Sequence, residues 1–151
     1  MPVYGIGLPR HFVIQFDDEN YSTFIDPFHG GRTVTPQECF ALAGAEIADP
    51  ALLQRVSKKQ IAMRMLQNLR GVYLRRKDWG RAVTTLDLLL LGAPDLSALV
   101  KQRGLLQMEQ KRYQAARRDF ERYLELEPEA TDQAEIQKQL QAIHAWLGRV
   151  N

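Results

Sequence analysis

A chain of 151 residues, 45% hydrophobic and 25% charged with a formal charge of +2, has room for one domain or two small ones and an ordinary globular composition. No stretch approaches the ~18 apolar residues of a membrane helix, the opening MPVYGIGLPRH lacks the basic-then-apolar pattern of an export signal, and a single cysteine, Cys39, cannot close an internal disulfide. The expectation is a reduced, cytoplasmic protein with no membrane partner.

Charge divides unevenly along the chain. Residues 1–60 carry five Lys/Arg against seven Asp/Glu, net −2, while residues 61–151 carry fifteen against eleven, net +4. The basic clusters are Arg75-Arg76-Lys77, Lys111-Arg112 and Arg117-Arg118. Nucleic-acid binders show a stronger excess on one face, often with interleaved aromatics, so the balance argues against a nucleic-acid partner.

In chain order, His11–Phe16 and Tyr21–Asp26 alternate apolar and polar residues and predict two antiparallel strands, with Asp17–Asn20 as the turn. A turn centred there pairs residues whose numbers sum to 37. Phe12 then opposes Ile25, Ile14 opposes Thr23 and Phe16 opposes Tyr21 on one apolar face, and His11 opposes Asp26 on the other. After Pro27-Phe-His-Gly-Gly31, Thr35-Pro-Gln-Glu38 is a capping box with proline at the first helical position, opening a short helix to about Ala43 that Gly44 stops. Asp49-Pro50 starts another short turn or helix. Ser57-Lys-Lys-Gln60 is a second capping box, starting a long helix to about Arg76.

From there a repeat dominates. Trp79 and Tyr113, Ala82 and Ala116, Leu86 and Phe120, Leu90 and Leu124, and Pro94 and Pro128 are each 34 residues apart, the tetratricopeptide period. The paired alanines suit the crossing of two helices, Leu86 and Phe120 plug the gap one turn later, and the prolines end each second helix. Leu69 and Tyr73 take the apolar places of the first repeat's first helix. In the second repeat Gly104 fits the close-packing site, but Arg103 and Gln107 replace apolar residues, which predicts a weaker helix. Ile136, Leu140, Ile143 and Leu147 form one face of a final helix that would cap the array. The expected fold is α+β, mostly α: a short antiparallel β-hairpin with small helices, then a tetratricopeptide α-α solenoid and a capping helix.

Few residues carry chemistry. His11 and Asp26 form the one fragment resembling a triad, readable either as its orienting half or as a structural hydrogen bond at a strand end. Cys39 falls near the start of a helix but among apolar neighbours, which predicts a buried, inert thiol. His29 and His144 lack ligand spacing, and no phosphate loop is present, so neither metal nor cofactor is expected. In tetratricopeptide geometry the concave side carries Arg64, Gln67, Asn68, Arg75, Lys101 and Gln102, a candidate partner-binding groove or a face packed against the N-terminal segment.

Three motifs carry a resemblance. Gly5–Ile14, Phe24-Ile-Asp-Pro-Phe-His-Gly-Gly31, and Arg64-Met-Leu-Gln-Asn-Leu69 with Tyr73 resemble the bacterial family joining a transglutaminase-like domain to C-terminal tetratricopeptide repeats. The resemblance implies a papain-like fold with catalytic order Cys, His, Asp, placing His11 and Asp26 at the last two positions. It implies that the chain corresponds to the C-terminal part of a longer member, with Met1 at a truncated, alternative or misassigned start. The resemblance also implies that members often lack the cysteine and so look like non-hydrolytic relatives; Cys39 cannot substitute, because it follows both partners in sequence. Arg10 stands where glycine is common. The implied division is a partial transglutaminase-like segment over 1–56, two repeats over 57–130 and a cap over 131–151. Cover for the hairpin would come from the 36–43 helix, the repeats or a second copy of the chain. The expected function is a protein–protein interaction scaffold with a remnant, non-catalytic lobe. The alternative is part of a cysteine- or serine-dependent amide hydrolase or acyl transferase whose nucleophile lies upstream or on another chain.

Overall fold

The structure, a computed structural model, describes residues 2–150; Met1 and Asn151, the outer bounds of the expected division, lie outside the described residues. The chain forms two compact units, Met1–Ala62 and Met63–Asn151. No helix is long and apolar enough to cross a membrane among the described residues.

The first unit is built on five antiparallel strands: β1 (Val3–Ile6), β2 (Val13–Asp17), β3 (Ser22–Asp26), β4 (Arg32–Val34) and β5 (Arg55–Val56). Their order is β4-β3-β2-β1-β5. The expected hairpin is present as β2 and β3, extended on both sides by short strands too brief to show alternation. Its register differs from expectation. Ile14 pairs with Ile25, Phe16 with Thr23 and Asp17 with Ser22, a sum of 39 rather than 37. The cause is the turn: Asp18 Oδ1 accepts the Asn20 and Tyr21 backbone N–H groups at 2.9 and 2.8 Å, so the loop is Asp18–Tyr21, one residue further along the chain at each end. A two-residue slip keeps each side chain on its face. The face that reaches the core, however, is the other one: Val13, with Ile6, Leu8, Val34 and Cys39, is buried, and Phe24 packs beside them. Ile14 and Phe16 are only half-buried. Edge strand β5 is held by Arg55, which donates from Nε to Gln15 at 2.9 Å, pairs with Asp17 and lies 3.6 Å over the Tyr4 ring.

Helix α1 (Pro36–Leu42) closes this core through Cys39 and Leu42. The Thr35/Glu38 capping box is complete, with Glu38 N–H donating to Thr35 Oγ1 at 3.2 Å and Thr35 N–H to Glu38 Oε2 at 2.7 Å. A 3₁₀ turn over Pro50–Leu53 is capped by Asp49.

The helices that follow are α2 (Lys58–Arg75), α3 (Trp79–Gly92), α4 (Ser97–Glu109), α5 (Tyr113–Leu126) and α6 (Gln133–Val150). The 34-residue period is visible in the backbone itself. Lys77 and Lys111 both take left-handed φ, 54° and 58°, and the following bonds repeat: Asp78 N–H to Tyr73 O at 3.0 Å and Arg112 N–H to Gln107 O at 2.8 Å. These are helix C-terminal closures that satisfy otherwise unpaired carbonyls. Ala82, Leu86, Ala116 and Phe120 are completely buried, as their matched spacing predicts.

Two expectations about the first helices reverse. Leu69 does not enter the core; it is 42% exposed. And α4, expected to be the weaker helix, buries Leu99, Val100, Gly104, Leu106 and Gln107, whereas α2 buries none of its eighteen residues. A Cβ on Gly104 would meet the Phe120 ring at 2.8 Å, so only glycine permits this approach of α4 to α5. Thirty-four residues earlier stands Arg70, a half-buried side chain in place of the glycine; Met63, Leu66, Tyr73 and Leu74 reach the core as half-buried side chains. Arg103 is tolerated in α4 because Asp119 accepts from its Nε and one terminal nitrogen at 2.8 and 2.6 Å, and Asp87 accepts from the other at 2.8 Å.

Candidate functional site

The end of β3 and the tight turn after it assemble a cluster of three titratable side chains. Asp26 is the last residue of β3 and is completely buried. Gly30 and Gly31 follow with φ of 72° and 73°, a left-handed pair that reverses the chain. Gly31 N–H then returns to Asp26 O at 2.9 Å, folding His29 back over the carboxylate, with Nδ1 2.7 Å from Oδ2. The Phe28 N–H donates to Oδ1 at 3.0 Å. From the other side His11, just before β2, brings Nε2 to 3.1 Å from Oδ1. Its ring lies 5.8 Å from the His29 ring and 5.3 Å from Phe28.

Burial by itself raises the pKa of Asp26. The hydrogen bonds from His29, the Phe28 backbone and His11, with the charge of His11, outweigh it and bring the carboxyl down to about 2. The group is therefore an ionised carboxylate, oriented on both oxygens. It can hold an imidazole's tautomer, steady an imidazolium, or ligate a cation.

The structure thus brings His11 and Asp26 together as the sequence suggests, but by a different route. Continuing the observed register puts Val13 opposite Asp26, and His11 reaches the carboxylate from beyond the strand. Arg10, the neighbour of His11, has φ +60°, which accounts physically for the glycine that the resemblance implies at this position. His29 is the residue the spacing rules missed: it has a partner after all, Asp26, three positions earlier. The two glycines after it were the legible sign, since a left-handed pair must fold the preceding side chain back.

Cys39 stands apart from this cluster chemically. It is completely buried, and burial first, then the charges of Glu38 and Asp26, push its thiol pKa up. A thiol so placed is a poor nucleophile.

The second candidate site is divided between α2 and α4. Gln67, Asn68 and Arg75 are exposed on α2 and Arg64 is half-buried there; Lys101 and Gln102 are half-buried on α4. Lys101 is already engaged: its Nζ donates to Asp132 Oδ2 at 2.9 Å and sits 5.2 Å from the Tyr123 ring. Tyr123 Oη donates to the other Asp132 oxygen at 2.7 Å. Lys101 therefore helps fasten α4 to α5 and to the loop before α6.

Comparison with known proteins agrees with both regions. Residues 1–67 match the family model of the transglutaminase-like superfamily, and residues 69–141 match that of the tetratricopeptide repeat. The UPF0162 proteins of Xylella fastidiosa strains 9a5c and Temecula1 are each 29% identical over 136 residues, 85% of this chain and 48% of theirs. The chain spans about half the length of these curated relatives. Among solved structures, the C-terminal tetratricopeptide-containing domain of a Plasmodium falciparum FK506-binding protein is similar at 19% identity and a TM-score of 0.49, over 76% of this chain and 74% of that one. The first tetratricopeptide domain of Spaghetti (RPAP3), bound to an HSP90 peptide, is similar at 22% identity and a TM-score of 0.48, over 74% and 76%. Two family models thus match adjacent stretches of the chain, a transglutaminase-like region over residues 1–67 and tetratricopeptide repeats over residues 69–141.

Proposed function

We propose that this chain is a cytoplasmic protein-interaction scaffold whose transglutaminase-like lobe performs no acyl transfer. The observation that carries the reading is α2, eighteen residues long with no buried side chain. A helix with polar and apolar exposed residues side by side, Gln67, Asn68 and Arg75 with Met65 and Leu69, gains most from being covered by a polypeptide. In the lobe, acyl transfer needs a nucleophile within reach of His11 and donors at the developing oxyanion. The single thiol of the sequence is buried in the core, with its pKa raised.

The test is site-specific photo-cross-linking from Gln67 in cells, followed by affinity measurement with the purified captured protein. Asn68→Asp and Arg75→Glu are expected to weaken binding about tenfold or more, the scale of an interface contact worth ~1.4 kcal/mol. Unchanged affinity in both variants contradicts the α2 groove. Lys101→Glu is a poor probe, because it would set a second carboxylate beside Asp132.

One observation favours a second reading. His11 Nε2 at 3.1 Å from a buried, ionised Asp26 is the arrangement that an amide hydrolase or acyl transferase would use, with a cysteine or serine supplied upstream or by another chain. Turnover of model amides by a longer form, lost in His11→Ala, would favour it.

A further inference from the structure

We propose that His11, Asp26 and His29 form a binding site for a divalent cation of the zinc class, with His11 Nε2, His29 Nδ1 and one Asp26 oxygen as ligands. The three donor atoms lie within 4.8 Å of one another. They come from separate places in the chain (the approach to β2, the end of β3 and the turn after it), so no spacing motif announces them. Two imidazole nitrogens and one carboxylate oxygen are a borderline donor set. It suits Zn(II), Co(II) or Ni(II) and is too poor in oxygens for Ca(II) or Mg(II).

Geometry supports the assignment. Ligand atoms around a tetrahedral ion with bonds of about 2.0–2.1 Å stand roughly 3.3–3.5 Å apart. The present separations, 3.1 Å from His11 Nε2 to Oδ1 and 2.7 Å from His29 Nδ1 to Oδ2, open by roughly 0.2–0.8 Å as both imidazoles gather on an ion bound to one of the two oxygens. His29, with a side chain 59% exposed, is free to make that adjustment and leaves an entry path. The carboxylate is fixed by the Phe28 N–H at 3.0 Å, the outer-sphere support that ligating carboxylates usually have. Ligation asks each imidazole for a lone pair, so its proton moves to the opposite nitrogen: Nδ1 in His11 and Nε2 in His29. Three protein ligands leave a fourth position for water or an external donor. A cation there would employ His11 and Asp26 as ligands and so withdraw them from any acyl-transfer chemistry. The inference is independent of the interaction surface on α2.

The test uses the full chain, freed of metal with chelator and titrated with Zn(II) and Co(II) alone by calorimetry and visible absorption. One equivalent is expected to bind, with Co(II) giving the ligand-field bands of a low-coordinate site. His29→Gln, an exposed turn substitution that leaves the core untouched, should weaken binding by about 10- to 100-fold or more, as should His11→Gln. Cys39→Ser and His144→Gln should leave it unchanged. The proposal is overturned by a native chain that takes up no stoichiometric Zn(II), by His29→Gln binding as tightly as the native chain, or by loss of binding in His144→Gln.

Discussion

The two helix pairs of the repeat unit share a frame and differ in one decisive place. Both close their first helix with a left-handed lysine, Lys77 and Lys111, and both bury an alanine and a large side chain at matched positions, Ala82 with Leu86 and Ala116 with Phe120. Yet α4 lies close on α5 while α2 stands away from α3. Where α4 has Gly104, α2 has Arg70. Close approach of helices needs a small residue at the crossing, and Gly104 supplies it against the Phe120 ring. The comparison also shows why counting apolar residues misjudged α4. Arg103 subtracts apolar area but adds a charge-assisted fork to Asp119, only 7% exposed, and such forks are geometrically specific.

The largest effect that should separate the pairs is Phe120→Ala. Removing a fully buried ring that fills the notch at Gly104 should cost about 3–5 kcal/mol, read from urea or thermal unfolding. Leu69→Ala on the open pair should fall within about 0.5 kcal/mol. Equal losses would mean that α2 is packed as closely as α4. Asp119→Ala comes next. It leaves the Arg103 guanidinium half-buried with Asp87 alone, at an expected cost of about 2–3 kcal/mol; Arg103→Met with Asp119→Leu should recover most of it. Gly104→Ala is smaller again. A Cβ at 2.8 Å from the Phe120 ring should destabilise by about 1–2 kcal/mol, overpacking exceeding the gain in helix propensity.

The smallest difference is one of pH. The hydrogen bond from Lys101, then that from Tyr123, hold the Asp132 carboxyl below its ordinary 3.8, while Asp132 raises Lys101 above 10.5 and Tyr123 above 10.0. A carboxyl depressed on folding contributes stability above its unfolded value, lost as pH falls through its folded one. Groups raised on folding contribute below their unfolded values, lost as pH rises. The network's contribution should therefore be complete between about pH 4 and 10 and fall on both sides. In Asp132→Asn, the difference from the native chain should shrink at both extremes; a pH-independent difference would mean that the three groups are not linked.

Much of the repeat unit was legible because its signals are local and periodic. Trp79/Tyr113 and Ala82/Ala116 declare the frame, and Ser57 with Gln60 declares where α2 begins, as its bonds of 2.7 and 3.2 Å confirm. The sheet was less so. Strands of four, three and two residues are too short to show a period, and the hairpin register depended on which aspartate caps the turn, Asp18 rather than its neighbour. At the cluster, sequence reading reached His11 and Asp26 but not His29, because ligand spacing looks for regular intervals on one element while this carboxylate gathers partners from a turn and a strand approach. Leu69 was misplaced for a related reason: periodicity says which residues share a face, and only packing says whether that face is covered.

Within this chain, the non-hydrolytic reading of the lobe requires that its own thiol, Cys39, be inert. The rate of Cys39 alkylation by a mild thiol-directed reagent, measured on the folded chain at neutral pH with and without His11, tests it most directly. A completely buried thiol with a raised pKa should react more slowly than a free cysteine, at the same rate in the native chain and in His11→Ala. Rapid alkylation that collapses in His11→Ala would contradict this and make Cys39 an activated nucleophile.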